Sequence, residues 1–321
     1  MVGLAAAVSV AAIVGATLLQ SRGQETGVPN GAVTNPRAGA PPLIFDFGVR
    51  DDPEARALAG GAGLYAAKHR VEAGRVFARY HSLPARIGLA FASWPKGGLD
   101  TLKMLVASHP RSALAELHLG YAYLWSGRNA DAVRAWMQAV KLEPDSSAAV
   151  YAGDLLHPSF APGLPYIVTA IEPPAGVTKL RAPQELAALK RNASAPDADA
   201  KLLYGVALWN LRRPVSAERE FLAAAALAPD DPLARTVAAV GAFSKDQPVV
   251  AFSKLGPLTG AFPRAAVVRF HLGILLLWSR ELGKARVQLR LAAAYQPESA
   301  YGKAAATLLA ALGHTGTKQR K

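Results

Sequence analysis

The sequence predicts an all-α protein built as a row of helix-turn-helix hairpins, and three observations carry that reading. Prolines stand at Pro110 and Pro144 and again at Pro229, Pro263 and Pro297, and each step inside the two groups is 34 residues. Other positions keep the same phase: Gly120, Ala132, Ala139 and Pro144 recur as Gly205, Ala217, Ala224 and Pro229, then as Gly273, Ala285, Ala292 and Pro297. Alanine and leucine dominate a chain that is 51% hydrophobic. Such side chains lose little rotamer freedom in a helix, and the alternation of β-branched with polar residues that marks a strand is rare here. At 321 residues the chain is long enough to bury a continuous core.

The first element is apolar. From Val2 to Leu19 no side chain is ionisable, and the first charge is Arg22. Eighteen residues at about 1.5 Å each make a helix of about 27 Å, close to the roughly 30 Å hydrocarbon core of a bilayer. Residues 1–21 therefore read as a single-pass membrane anchor. The alternatives are a cleaved signal peptide, with Val14 and Ala16 as small residues flanking the cut and a secreted product, or a buried helix of the fold. No Lys or Arg precedes the apolar run, which argues against the signal. Arg22 and Arg37, diluted by Glu25, favour a cytoplasmic main domain too weakly to settle the side of the membrane. Residues 22–42 then hold Gly23, Gly27, Pro29, Gly31, Pro36, Gly39, Pro41 and Pro42, so no regular element is expected and the stretch reads as a flexible tether.

Residues 43–112 read as helical hairpins and degenerate repeats. Asp52, Pro53 and Glu54 open a helix, and an apolar pattern runs on through Leu64 and Val76 toward Tyr80. The clear units are residues 113–146, 198–231 and 266–299, while 232–265 is a degenerate unit that keeps phase through Ala239, Ala251, Leu255 and Pro263. Asp231 before Pro232 supplies a capping carboxylate and a proline whose missing N–H costs nothing at a helix start. The step from Pro144 to Pro229 is 85 residues, longer than two units, so an insertion is expected over 147–197. It should hold helices over 147–156 and 184–192, with Pro158, Pro162, Pro165, Pro173 and Pro174 enforcing a protruding irregular loop between them. Within that loop residues 167–171 are the one short stretch suited to a strand. Residues 300–312 should form a helix capping the last unit, and 313–321 a basic, disordered tail.

The period, the in-phase small residues and the closing proline together resemble the tetratricopeptide-repeat family, over about half the chain closely and most of it loosely. The resemblance implies a right-handed helical solenoid, in which Gly120, Gly205 and Gly273 let paired helices approach and Trp136, Phe221 and Leu289 fill the space beside them. It also implies a non-catalytic interaction module whose concave face holds a peptide or helical segment of a partner protein. The first helix of each unit would line that groove with Leu117, Tyr121 and Trp125, with Leu202, Val206 and Trp209, and with Phe270, Ile274 and Trp278. The competing reading is that these rings pack against the next unit or the insertion. The family's carboxylate clamp for chaperone tails is not matched, since Leu117 and Tyr121 occupy its places.

Other functions find little support. The chain has no cysteine, so disulfides, thiolate metal sites and cysteine nucleophiles are excluded. No catalytic constellation, metal-ligand spacing or phosphate loop occurs, so no cofactor or metal is expected, and the seven histidines show no i, i+4 pairing. The net charge of +13 is scattered over every segment. It leaves open a basic surface for anionic lipid, a cell-envelope polymer or nucleic acid, the last not expected without a concentrated stripe. A third reading is a regulatory subunit of an enzyme complex.

Overall fold

Fifteen α-helices follow one another in the computed structural model, which describes residues 35–317. The expected anchor over 1–21 and the greater part of the expected tether lie outside the described residues. Among the described residues no helix is long and apolar enough to cross a membrane. The helices divide into two compact units, one ending at Leu156 and the other beginning at His157, each around its own apolar core.

The first unit holds α1 (Pro53–Ala66), α2 (Arg70–Phe77), α3 (Leu83–Ala92), α4 (Gly98–Ser108), α5 (Ala113–Trp125), α6 (Asn129–Leu142) and α7 (Ser147–Leu156). The second holds a 3-10 turn (Val177–Lys179), then α8 (Ala182–Asn192), α9 (Ala198–Asn210), α10 (Pro214–Leu227), α11 (Pro232–Gly241), α12 (Pro248–Ala261), α13 (Ala266–Trp278), α14 (Leu282–Tyr295) and α15 (Ala300–Thr317). In both units each helix packs on the next, and alternate helices pack on one another: α1, α3, α5 and α7 in the first, α9, α11, α13 and α15 in the second. This is the nearest-neighbour stacking of a helical-repeat solenoid.

Local chemistry sets the boundaries. Asp52, Ser82, Ser112, Asp197 and Asp231 each accept a backbone N–H from the first turn of the helix they precede. The periodic prolines act through the residue before them, because the proline ring excludes that residue from helical geometry. His109, Glu143, Ala228, Phe262 and Gln296 all leave the helix at φ between −128° and −143° and ψ between 63° and 69°, and each precedes one of the five prolines. Glu143 and Gln296 then turn back to accept the Ala113 and Ala266 N–H groups at 2.5 and 2.9 Å, joining the end of a second helix to the start of its own first helix.

The in-phase glycines serve close approach. A Cβ on Gly120 would stand 2.2 Å from Trp136, one on Gly205 2.5 Å from Phe221, and one on Gly273 2.9 Å from Leu289. Trp136, Phe221 and Leu289 are fully buried, and the Trp136 indole donates to the Leu117 carbonyl at 3.2 Å.

Four expectations are corrected. Residues 35–42 of the expected tether pack on the first unit, where Pro41 is buried and the Arg37 N–H donates to the Trp125 carbonyl. Residues 160–171 do not protrude: Phe160, Leu164, Tyr166, Val168 and Ile171 pack against the core of the second unit, because burying those apolar groups outweighs leaving the loop in water. Residues 167–171 form no strand, since their backbone bonds to side chains and not to another strand. The last helix runs on to Thr317, because Gly313 costs a helix only about 1 kcal/mol where no proline follows.

Candidate functional site

Proline and glycine keep residues 35–47 out of any helix, so their backbone groups need partners elsewhere. They find them along the first helices of the first unit. The Arg37 N–H donates to the carbonyl of Trp125 at 2.9 Å; Trp125 is the last residue of α5, where carbonyls lack an intrahelical partner. The Pro41 carbonyl accepts the Tyr65 hydroxyl of α1 at 2.6 Å. The Ile44 N–H donates to His118 Nε2 of α5 at 3.3 Å. Phe45 sets its ring against Phe77 and His118, with centroids 6.1 and 5.7 Å away, and the Arg37 guanidinium lies 5.3 Å over the Trp125 ring.

The second unit repeats the arrangement with residues 160–171. The Ala161 N–H donates to the carbonyl of Trp278, the last residue of α13, at 2.9 Å. The Pro165 carbonyl accepts the Trp209 indole N–H of α9 at 2.7 Å. The Val168 N–H donates to His271 Nε2 of α13 at 3.1 Å, and the Ala170 N–H donates to the Tyr301 hydroxyl at 3.2 Å. Tyr166 meets Trp278 edge-on at 5.0 Å. Gly39 and Gly163, two residues beyond the first bonded amide in each segment, turn at φ +78° and +76°.

His118 and His271 are each fixed in one tautomer. His118 Nδ1 faces the Leu114 carbonyl at 2.8 Å and His271 Nδ1 faces the Val267 carbonyl at 2.9 Å. A carbonyl only accepts and a backbone N–H only donates, so Nδ1 carries the proton and Nε2 presents its lone pair to the segment. Both rings are fully buried, and burial pushes both down to about 4. Burial likewise raises the Tyr65 and Tyr301 phenols to about 12 and lifts that of Tyr121, so these hydroxyls stay protonated.

Of the predicted groove residues, Trp125, Trp209 and Trp278 meet these two segments. Leu117 and Tyr121 are buried in the core of the first unit, and Trp125 is half-buried and touches residues 37–47 through Arg37. Leu202, Val206, Trp209, Phe270, Ile274 and Trp278 are buried in the second unit, where Trp209 and Trp278 touch residues 161–166 directly. The side chains that sequence reasoning missed are His118, His271, Tyr65 and Tyr301. A signal was available: His118 and His271 each stand two residues before an in-phase glycine, Gly120 and Gly273. The spacing of Gly39, Pro41, Leu43 and Ile44 also recurs as Gly163, Pro165, Ile167 and Val168.

Among the described residues no group of three His, Asp or Glu side chains converges as a metal would require. The histidine nitrogens are taken up by backbone partners. What the arrangement can do chemically is hold a polypeptide.

No family model and no curated protein matches the chain. Among solved structures it is similar to the tetratricopeptide-repeat protein YrrB, at 16% identity over 65% of this chain and 99% of that one, with a TM-score of 0.32. It is similar to a tetratricopeptide repeat protein from Parabacteroides merdae at 14% identity over 80% of this chain and 98% of that one, TM-score 0.32. A third is yeast Tom70, at 12% identity over 88% of this chain and 68% of that one, TM-score 0.31.

Proposed function

We propose that the chain is a non-catalytic protein–protein interaction scaffold of the tetratricopeptide-repeat kind, tethered to a membrane by residues 1–21, that holds a segment of a partner protein along the first helices of its units. The observation that supports this reading is the use to which those helices are already put. In each unit their inward faces hold a stretch of polypeptide through backbone hydrogen bonds and apolar contact. On this reading Leu117, Tyr121 and Trp125, and Leu202, Val206, Trp209, Phe270, Ile274 and Trp278, belong to the apolar floor, of which Trp125, Trp209 and Trp278 meet the held segments. Aromatic rings give such a floor large contact area at low entropic cost.

The test uses the full chain with a photoreactive side chain at Ala40 or at Leu164, cross-linked in cells and recovered at low and raised salt. Discrete partner polypeptides mapped to these positions and surviving raised salt support the scaffold. Cross-links confined to the chain itself, or material lost steeply with salt as a basic surface on an anionic polymer would behave, sink it. Alkaline washing of membranes tests the tether: the full chain stays with the membrane and a chain lacking residues 1–21 is released. Release of both sinks the tether.

A further inference from the structure

Resting on that reading, we infer that both grooves select one class of ligand, an extended peptide with glycine two and proline four residues after its first bonded amide and an apolar pair at the sixth and seventh. Residues 36–47 and 160–171 are the chain's own copies of that ligand, displaceable by a partner segment of the same pattern.

The two resident segments align without a gap from Pro36 to Phe47 and from Phe160 to Ile171, and are identical only at Gly39 with Gly163 and Pro41 with Pro165. Yet the same three backbone groups are held in both: the first amide by a tryptophan carbonyl at a helix end, the proline carbonyl by an aromatic donor, and the later amide by histidine Nε2. The aromatic donor is a tyrosine hydroxyl in one unit and an indole N–H in the other. Different residues performing the same contact indicate that the groove reads the backbone, and the few shared side chains are those the path requires.

Each shared residue has a physical reason. The left-handed φ at Gly39 and Gly163 strains any residue with a Cβ. Pro41 and Pro165 are buried, and a proline brings no N–H that burial would leave unpaired. Leu43 and Ile44, like Ile167 and Val168, supply the apolar contact beside the histidine. The histidine lone pair in turn requires an N–H, so a proline at the position of Ile44 or Val168 is excluded.

The resident segments leave room for a better ligand. The indole N–H groups of Trp125 and Trp278, at equivalent places in the two units, are buried without an acceptor among the described residues. A partner segment carrying a carbonyl or carboxylate side chain there would gain a hydrogen bond that the resident one lacks. Residues 42–47 are only half-buried, and the turn at Gly48 that joins them to α1 is exposed.

The probe is a fluorescent twelve-residue peptide with the sequence of residues 160–171, tested against the full chain, against its Ile44→Pro variant, and beside a scrambled peptide of the same composition. The tethered copy competes at an effective concentration on the order of millimolar, so the peptide should bind the variant at least about tenfold more tightly than the unaltered chain. Adding His118→Leu, or replacing the glycine of the peptide by valine, should remove that gain. If the scrambled peptide binds the variant equally well, the groove takes peptides without this pattern and the inference fails while the scaffold reading stands. If neither peptide binds a variant of native helix content, both fail. Hydrogen exchange on the unaltered chain is the second measurement, independent of whether the variant folds. The amides of Arg37, Ile44, Ala161 and Val168 should exchange through an opening much easier than global unfolding. Exchange only with global unfolding overturns the inference, because the segments are then permanent parts of the core.

Discussion

His118 and His271 do the same work in the two units, each donating Nδ1–H to the carbonyl four residues before it and accepting at Nε2 a backbone N–H from a segment far away in sequence. The Ile44 bond spans 74 residues of chain and the Val168 bond 103. A proton on Nε2 would break the bond that seats the segment, so the neutral ring is part of the fold.

That requirement gives a pH dependence with a defined sign. Burial holds both rings at about 4, below the ordinary 6.5. Above 6.5 neither the folded nor the unfolded chain protonates them, and stability is unaffected. Between 6.5 and about 4 the unfolded chain takes up protons that the folded chain refuses, so stability falls as pH falls, by up to about 1.4 kcal/mol per pH unit for each histidine. Asp52, held at about 2 by Arg50 and by its capping bond, loses its contribution only below its ordinary 3.8, outside this window. Urea midpoints should drop between about pH 7 and about pH 5, and the drop should flatten in an H118L/H271L variant. Equal midpoints in the unaltered chain would contradict the buried neutral state.

Two glycine-to-alanine substitutions should have opposite signs. Gly120→Ala places a Cβ 2.2 Å from the buried Trp136 ring, which has no room to retreat, and overpacking of this kind costs about 1–3 kcal/mol. Gly60 in α1 is exposed with nothing within 4 Å of a Cβ, and alanine there should stabilise by about 0.5–1 kcal/mol. Thermal melts of the two variants check the pair, and a loss in both would show that α1 is constrained by more than its own helix.

Trp209→Phe keeps an aromatic ring, deletes the donor to Pro165 and leaves a smaller side chain in a buried place. A buried carbonyl left unpaired costs about 1–3 kcal/mol, so the variant should melt lower. The amides of Ala161 and Val168 should also exchange faster than in the unaltered chain. Unchanged exchange with an unchanged melting point would show that the indole bond does not hold the segment.

Asp231 caps α11 by accepting the Leu233 and Ala234 N–H groups at 2.9 and 3.2 Å. Asp231→Ala should cost about 1 kcal/mol and Asp231→Asn much less. A denaturant titration separates them, and equal losses would assign the effect to charge.

The caps at Ser82, Ser112 and Asp197 emerged with the structure, whereas the 34-residue period, the helix starts at Asp52 and Asp231, the helix-breaking prolines and the small residues at helix crossings were legible in the sequence. They are consequences of steric and hydrogen-bonding rules that act within a few residues, so local pattern suffices to read them. The apolar residues at helical spacing from Leu117 to Trp125 and from Phe270 to Trp278 were legible for the same reason; Leu117, Phe270 and Trp278 are buried and Trp125 is half-buried. What lies beside them was decided by tertiary structure. Residues 35–42 and 160–171 read as tether and loop because glycine and proline announce only the absence of a helix. Their seating depends on Trp125, His118, Trp278 and His271, which no local periodicity connects to them. A chain can advertise its helices by spacing alone; where its irregular segments settle is chosen by buried backbone groups in search of partners, and those come from wherever the fold brings them.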